Sequence, residues 1–170
     1  PTRWSRHANP SPAPPAPSGE SNEAPAKPNA ANAAMDLWHA AFESGDWDAM
    51  RALGAPGMQI DDRRRQALIS YDADTAIDDW RRVRAAGVQP ARHLLGTAGQ
   101  RIAIERILWV GGPPEARYEV EFIWVIEVDE GGGVTASIAF DPDDERAAQR
   151  EAWARWAAID PVAAPWVELL

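Results

Sequence analysis

Two neighbouring aspartates, Asp61 and Asp62, stand directly before three consecutive arginines, residues 63–65. Adjacent side chains of a β-strand point to opposite faces, so only one of these two carboxylates can enter a pocket. Asp62 shares a face with Ile60 and is the candidate for a pocket-facing acid, and Asp61 is a candidate ligand contact. The alternative is that both aspartates bind the neighbouring arginines across a hairpin.

His93 is a second candidate for proton transfer, because the ordinary pKa of histidine, about 6.5, lies close to neutral pH. Alternation groups it with Leu95 and predicts that it faces the concave side of a sheet; the alternative is a purely structural histidine. The sequence has no cysteine, and its three histidines show no metal-ligand spacing. We therefore predict no metal site and no cofactor.

Charged residues also interrupt two strongly apolar segments, Glu105 and Arg106 in the first and Glu121 in the second. If the strand face that carries Glu121 lines a pocket, Arg106 and Glu121 form a polar contact for a ligand. If that strand face meets water, the charges stabilise neighbouring strands and keep the surface polar. The second interpretation is favoured, and Arg106 and Glu121 are kept as candidate ligand contacts.

Nine tryptophans in 170 residues supply more apolar ring surface than a surface location would tolerate. A pocket walled by such rings suits a flat, apolar molecule; the alternative is that the rings fill the core. The aromatic candidates for ligand contact are Trp38, Phe42, Trp80, Trp109 and Trp124.

The net charge of −9 disfavours binding to a phosphate backbone, so we expect no nucleic-acid partner. No apolar run is long enough to cross a membrane, and no signal peptide is evident, which predicts a cytoplasmic protein with no membrane partner. Phosphate-binding loops and serine-hydrolase elbows have no matching motif in the sequence.

The spacing at which apolar residues recur predicts the helices and strands of the chain, because a recurrence every three to four residues favours a helix and every two residues a strand. Asp46 is expected to cap the second helix and Asp72 or Asp74 the third, and a run of three glycines separates the last two strands. Helices are predicted at 33–44, 47–53, 73–86 and 143–158, and strands at 58–62, 66–70, 92–97, 101–110, 118–129 and 134–140. The last four strands have short turns between them, which predicts an antiparallel meander.

Residues 1–33 are rich in proline and alanine and predict a disordered linker. Residues 34–160 are predicted to form one folded domain, and residues 161–170 a C-terminal tail. Since the first residue is not Met, we expect that the domain is tethered to another domain of a larger protein.

Three segments resemble the SnoaL-like or nuclear transport factor 2-like superfamily, an α+β cone in which a strongly curved, mostly antiparallel sheet wraps a helix. They are AFESGDWDAMRAL, MQIDDRRR and VIEVDEGGGVTASIAFDPDD, and they resemble most the bacterial members appended to larger proteins. The resemblance implies a blind pocket within the cone. The predicted C-terminal helix departs from the shortest members of the superfamily, and it is expected to cover either the pocket mouth or a sheet face.

Two functions follow from this resemblance. The favoured one is a non-catalytic module that binds a small apolar molecule or forms a homodimer. The other is a cofactor-independent isomerase, cyclase, dehydratase or epoxide hydrolase in which Asp62 or His93 acts as base. An epoxide hydrolase of this fold uses an Asp, Arg, Asp set, and Asp62, Arg106 and Glu121 are the corresponding candidates here. Convergence of these charged residues in one cavity would favour the enzyme.

Overall fold

The first helix begins at Ala30, earlier than the predicted residue 33, because Asn29 fixes its start. The Asn29 side chain accepts a hydrogen bond from the Asn32 backbone N–H at 3.1 Å, as an N-cap does. Its amide group also donates to the backbone oxygens of Gly99 at 3.0 Å and Ile102 at 2.8 Å. This asparagine therefore ties the helix start to the sheet, and the folded domain begins within the segment expected to be linker.

The structure is a computed structural model, and it describes residues 26–167. Most of the predicted linker, residues 1–25, and the last three residues of the predicted tail lie outside this range. The helices are α1 (Ala30–Ser44), α2 (Trp47–Leu53), α3 (Ala73–Ala85), α4 (Glu145–Ile159) and α5 (Ala164–Val167), with a 3-10 turn at Pro114–Ala116. The strands are β1 (Gly54–Asp62), β2 (Ile69–Asp72), β3 (Gln89–Ala98), β4 (Ile102–Gly111), β5 (Tyr118–Val128) and β6 (Val134–Phe140).

The six strands form one sheet in the order β2-β1-β6-β5-β4-β3. The meander from β3 to β6 is antiparallel throughout, as predicted, and β1 joins its end by pairing parallel with β6. The sequence placed β2 at 66–70, but it occupies Ile69–Asp72. Residues 63–68 instead form the turn before it, in which Leu68 adopts a left-handed conformation with φ of 49°.

Alternation along the strands gives the sheet two differently covered faces. The inner face packs against α1, α2 and α3 and includes Ile60, Ala103 and Ile126. The outer face packs against α4, where Ala148 and Ala152 are fully buried. Of the two positions open to the C-terminal helix, it therefore takes the sheet face. This α+β arrangement agrees with the predicted cone fold.

One row of paired residues crosses the inner face and relates Asp62 to Trp124 and Glu105. Asp62 of β1 pairs with Ala139 of β6, which pairs with Trp124 of β5, and Trp124 pairs with Glu105 of β4. Paired residues in neighbouring strands project to the same face. Two buried carboxylates thus flank a tryptophan on the concave side of the fold.

Candidate functional site

A cavity lies between α1, α3 and the part of the inner face formed by β3, β4 and β5. Its volume is ≈ 30 Å³, enough for about two water molecules. Ten residues form what we call the tryptophan cavity: Met35, Trp38, His39, Phe42, Trp80, Pro90, Arg92, Ile107, Trp109 and Trp124.

The aromatic walls of the cavity contact one another edge to face. The ring centroids of Trp38 and Trp80 are 4.8 Å apart, and those of Trp80 and Trp124 are 6.2 Å apart. Phe122 continues the chain of rings, 5.6 Å from Trp124 and 5.2 Å from Trp109. Such pairs are favourable beyond the apolar area they bury. The walls are therefore both apolar and held in defined orientations.

The indole N–H of Trp124 is buried and finds no hydrogen-bond acceptor in the described part of the chain. Nearly all buried polar groups in proteins have a partner, so this unpaired donor on a residue of the cavity wall calls for an explanation such as a bound molecule. The neighbouring carboxylate, Glu105, is directed elsewhere. Its two oxygens accept hydrogen bonds from Arg92 at 2.7 and 2.8 Å and from the Asn32 amide at 2.7 Å.

Arg92 closes the cavity at its charged end. Besides its two bonds to the fully buried Glu105, its guanidinium donates to the Met35 backbone oxygen at 2.8 Å and to Asp36 at 3.1 Å. Burial lowers the pKa of Arg92, but its bonds to Glu105 and Asp36 outweigh burial and leave the pKa above its ordinary value. The positive charge of Arg92 is thus already neutralised by two acids, Glu105 and Asp36.

His39 is the other ionisable residue of the cavity wall, and its Nε2 lies 3.3 Å from a carboxylate oxygen of Glu43. His39 is half-buried on α1. Both ionisable wall residues, His39 and Arg92, therefore have an acidic partner.

Asp62 lies on the inner face, as its alternation with Ile60 predicted, but it does not line the tryptophan cavity. Its oxygens accept hydrogen bonds from the Arg64 side chain, at 2.9 Å for Nε, and from the Arg64 backbone N–H at 3.1 Å. Arg64 in turn stacks over Phe122, 4.9 Å from the ring centroid. Burial, with a further contribution from the Asp62 charge, raises the pKa of the nearby Tyr71.

The other charged candidates lie on the outer face of the sheet. Asp61 binds Arg63 at 2.6 Å, so the predicted alternative, in which the aspartates pair with the arginines that follow them, describes both residues. Arg106 contacts Glu121 at 2.8 Å and Glu145 of α4 at 3.1 Å. Glu121 is exposed, as the favoured interpretation of this strand predicted.

His93 is exposed on the outer side of β3, opposite Arg106, and the prediction that it faces the concave side is wrong. Its neighbours Arg92 and Leu94 take the inner face instead. The pattern was ambiguous because Leu94 and Leu95 are both apolar, and the register shifts between Leu94 and Gly96. His93, Arg106 and Glu121 therefore do not meet Asp62 in one cavity.

All five aromatic candidates, Trp38, Phe42, Trp80, Trp109 and Trp124, line the tryptophan cavity. The sequence analysis did not predict the other five wall residues, and it did not predict that Glu105 is buried beside the cavity; the wall residues missed are Met35, His39, Pro90, Arg92 and Ile107. The alternation of Glu105 with Ala103 and Ile107 was a usable signal, because both neighbours are fully apolar and buried.

Solved structures with the same architecture include enzymes and ligand-binding proteins. A Δ5-3-ketosteroid isomerase from a Mycobacterium species matches with a TM-score of 0.54 and 14% identity, over 68% of this chain and 95% of that chain. A Mycobacterium tuberculosis protein in complex with estradiol-17β-hemisuccinate matches with a TM-score of 0.52 and 12% identity, over 66% and 93%.

A nuclear transport factor 2-like protein from Burkholderia xenovorans matches with a TM-score of 0.51 and 13% identity, over 65% of this chain and 87% of that chain. No protein-family model matches the sequence, and the comparison with curated proteins gives no match. The chain thus has the SnoaL-like, nuclear transport factor 2-like fold that its sequence resembles. Among the helices of residues 26–167, none has the length and apolar character needed to span a membrane.

Proposed function

We propose that this protein binds a flat, apolar small molecule in the tryptophan cavity and performs no chemistry on it. The observation that carries the proposal is the buried N–H of Trp124, unpaired on a wall made mostly of aromatic and other apolar side chains. Small-molecule sites are concave and mostly apolar, with a few polar groups that orient the ligand. Two structural neighbours have a steroid as ligand or substrate, which supports a flat, apolar ligand of this size for the present protein.

The charged groups favour binding over catalysis. A general base must reach its substrate with an oxygen or nitrogen that is available to accept a proton. At the cavity, the carboxylate of Glu105 is held by Arg92 and Asn32, and His39 lies against Glu43. The residues predicted to converge in an enzyme, Asp62 and His93 among them, lie on opposite faces of the sheet.

Ligand binding is also favoured over pairing of two copies through the sheet. Part of the outer face, which such a pairing would use, is already covered by α4 through Ala148 and Ala152. A ligand must still make room for itself, since the cavity has space for about two waters. Rotation of the unbranched Met35 side chain, which lies in the α1 wall, would open the cavity without moving the sheet or the rings.

The test is calorimetric titration of the protein with fluorene and with estradiol. We expect both to bind to the wild type. Met35→Trp fills the cavity and should weaken binding at least tenfold, whereas Leu37→Trp, on the exposed side of the same helix, should leave affinity unchanged. Thermal unfolding of both variants verifies that they are folded.

If Met35→Trp does not fold, Trp80→Phe supplies the second arm, because a smaller ring in this wall should raise the affinity for estradiol. Two outcomes would contradict the proposal. One is that neither compound binds the wild type, and the other is that a folded variant with a filled cavity binds as tightly as the wild type.

A further inference from the structure

We infer that the ligand of the tryptophan cavity is uncharged and carries a hydrogen-bond acceptor, such as a ketone or ether oxygen, that binds the indole N–H of Trp124. This inference rests on the proposed function and adds the polar chemistry of the ligand. It follows from which polar groups around the cavity are already paired and which one is not.

The Trp124 indole is fixed in place by the packing around it. Its ring stands edge to face with Trp80 on one side and Phe122 on the other, and its backbone pairs with Glu105 and Ala139 in neighbouring strands. An indole has a single N–H, which can only donate. Because the ring is held by its neighbours, the direction of this donor is set before a ligand arrives.

The protein groups closest in the row do not satisfy this donor. Ala139 has no polar side chain, and the oxygens of Glu105 are occupied by Arg92 and Asn32. A buried N–H without an acceptor is costly, and the cost is recovered when an acceptor is supplied. Either water in the small cavity or an oxygen of the ligand can supply it, and an entering ligand displaces the water.

The charges around the cavity exclude an anionic ligand. Arg92 is neutralised by Glu105 and Asp36, and the His39 ring lies 3.3 Å from the carboxylate of Glu43, so neither wall residue offers an uncompensated positive charge to a carboxylate. An unpaired charge in an apolar cavity is strongly unfavourable. A ligand whose only polar group is a donor also gains nothing from the Trp124 N–H. A neutral acceptor is the chemistry that fits both facts.

The test compares 1-indanone with indane, which have the same ring system with and without a carbonyl oxygen. We measure Kd for both in the wild type, in Trp124→Phe, and in Trp109→Phe as a matched loss of an indole from the same cavity. The ratio of the indane Kd to the 1-indanone Kd should fall about tenfold in Trp124→Phe. In Trp109→Phe the ratio should stay at its wild-type value, although both compounds bind less tightly.

A second measurement uses only wild-type protein labelled with nitrogen-15. The indole N–H signal of Trp124, assigned by its loss in Trp124→Phe, should shift downfield with 1-indanone and much less with indane. Indane-1-carboxylate should bind at least tenfold more weakly than 1-indanone.

The outcomes separate this inference from the function on which it rests. If neither 1-indanone nor indane binds, and fluorene and estradiol also fail, the proposed function itself is wrong. If the compounds bind but the ratio is the same in the wild type and Trp124→Phe, the ligand is not recognised by this donor. A change of ratio in Trp109→Phe instead, or tighter binding of the carboxylate, would also overturn the inference.

Discussion

The two faces of the sheet are built from the same strands, yet they enclose different interiors. On the inner face, rings such as Trp80 and Trp124 meet edge to face and leave a cavity between them. On the outer face, Ile104 and Ile138 pack against the fully buried Ala148 and Ala152 of α4. Large rigid rings cannot fill every gap, whereas branched side chains against alanine can pack closely. Side-chain size on each face therefore decides which one can hold a ligand.

The charges differ between the faces in the same way. On the inner face, Glu105 is fully buried and paired with Arg92. On the outer face, Glu151 of α4 binds Arg63 and Arg155 in a partly exposed group of charges. A buried pair is costly to break because one uncompensated charge is left behind, whereas exposed pairs contribute little. This contrast gives three expectations, taken from the largest effect to the smallest.

The largest effect is expected from Glu105→Gln. The substitution keeps the shape but leaves the charge of Arg92 with only the exposed Asp36, and should lower the free energy of unfolding by about 3 kcal/mol. The matched change on the outer face, Glu121→Gln, removes one of the two acidic partners of Arg106 at an exposed site and should cost less than about 1 kcal/mol. Urea unfolding measures both. Equal losses would mean that the faces do not differ as described.

An intermediate effect is expected from Ala148→Leu, which puts a larger side chain into the closely packed outer face. Overpacking should lower the free energy of unfolding by about 1–3 kcal/mol. Ala154→Leu, on the exposed side of the same helix, is the control and should change stability by less than about 0.5 kcal/mol. If Ala148→Leu is tolerated as well as its control, the outer face also has spare volume.

The smallest effect is a pH dependence of the outer charges. Burial raises the pKa of Glu151, but its hydrogen bonds from Arg63 and Arg155 outweigh burial and hold the pKa below its ordinary value. A carboxylate with a lowered pKa in the folded state stabilises the protein above its ordinary pKa, and this contribution is lost as the pH falls through the folded value. The gain is about 1 kcal/mol or less at a partly exposed site.

We therefore expect the free energy of unfolding of the wild type to exceed that of Glu151→Gln at pH 6, and the difference to shrink towards pH 3. Chemical unfolding at several pH values measures it. Glu119→Gln, at an exposed position of β5, should give no such trend. A difference that grows as the pH falls would reverse the sign and refute the assignment.

Local signals predicted several elements correctly, and their failures have identifiable causes. Asp46 caps α2 and Asp72 caps α3, as expected, because an N-cap depends only on residues two or three positions away. The start of α1 was missed because Asn29 is held by residues of the β3–β4 turn and β4, some seventy positions further along the chain. The position of β2 was missed because the turn before it depends on the ion pair between Asp62 and Arg64 and on the left-handed backbone conformation of Leu68.

The sequence by itself determined which residues alternate along a regular strand, and so it grouped Asp62 with Ile60. These relations depend only on the alternation of side chains along a strand, which is a local property of the backbone. Only the tertiary structure decided which face meets α1 and α3, that Arg92 reaches Glu105, and that the N–H of Trp124 is left without a partner. Those facts depend on strand register and helix docking, which bring together residues far apart in the chain and are not encoded in any short segment.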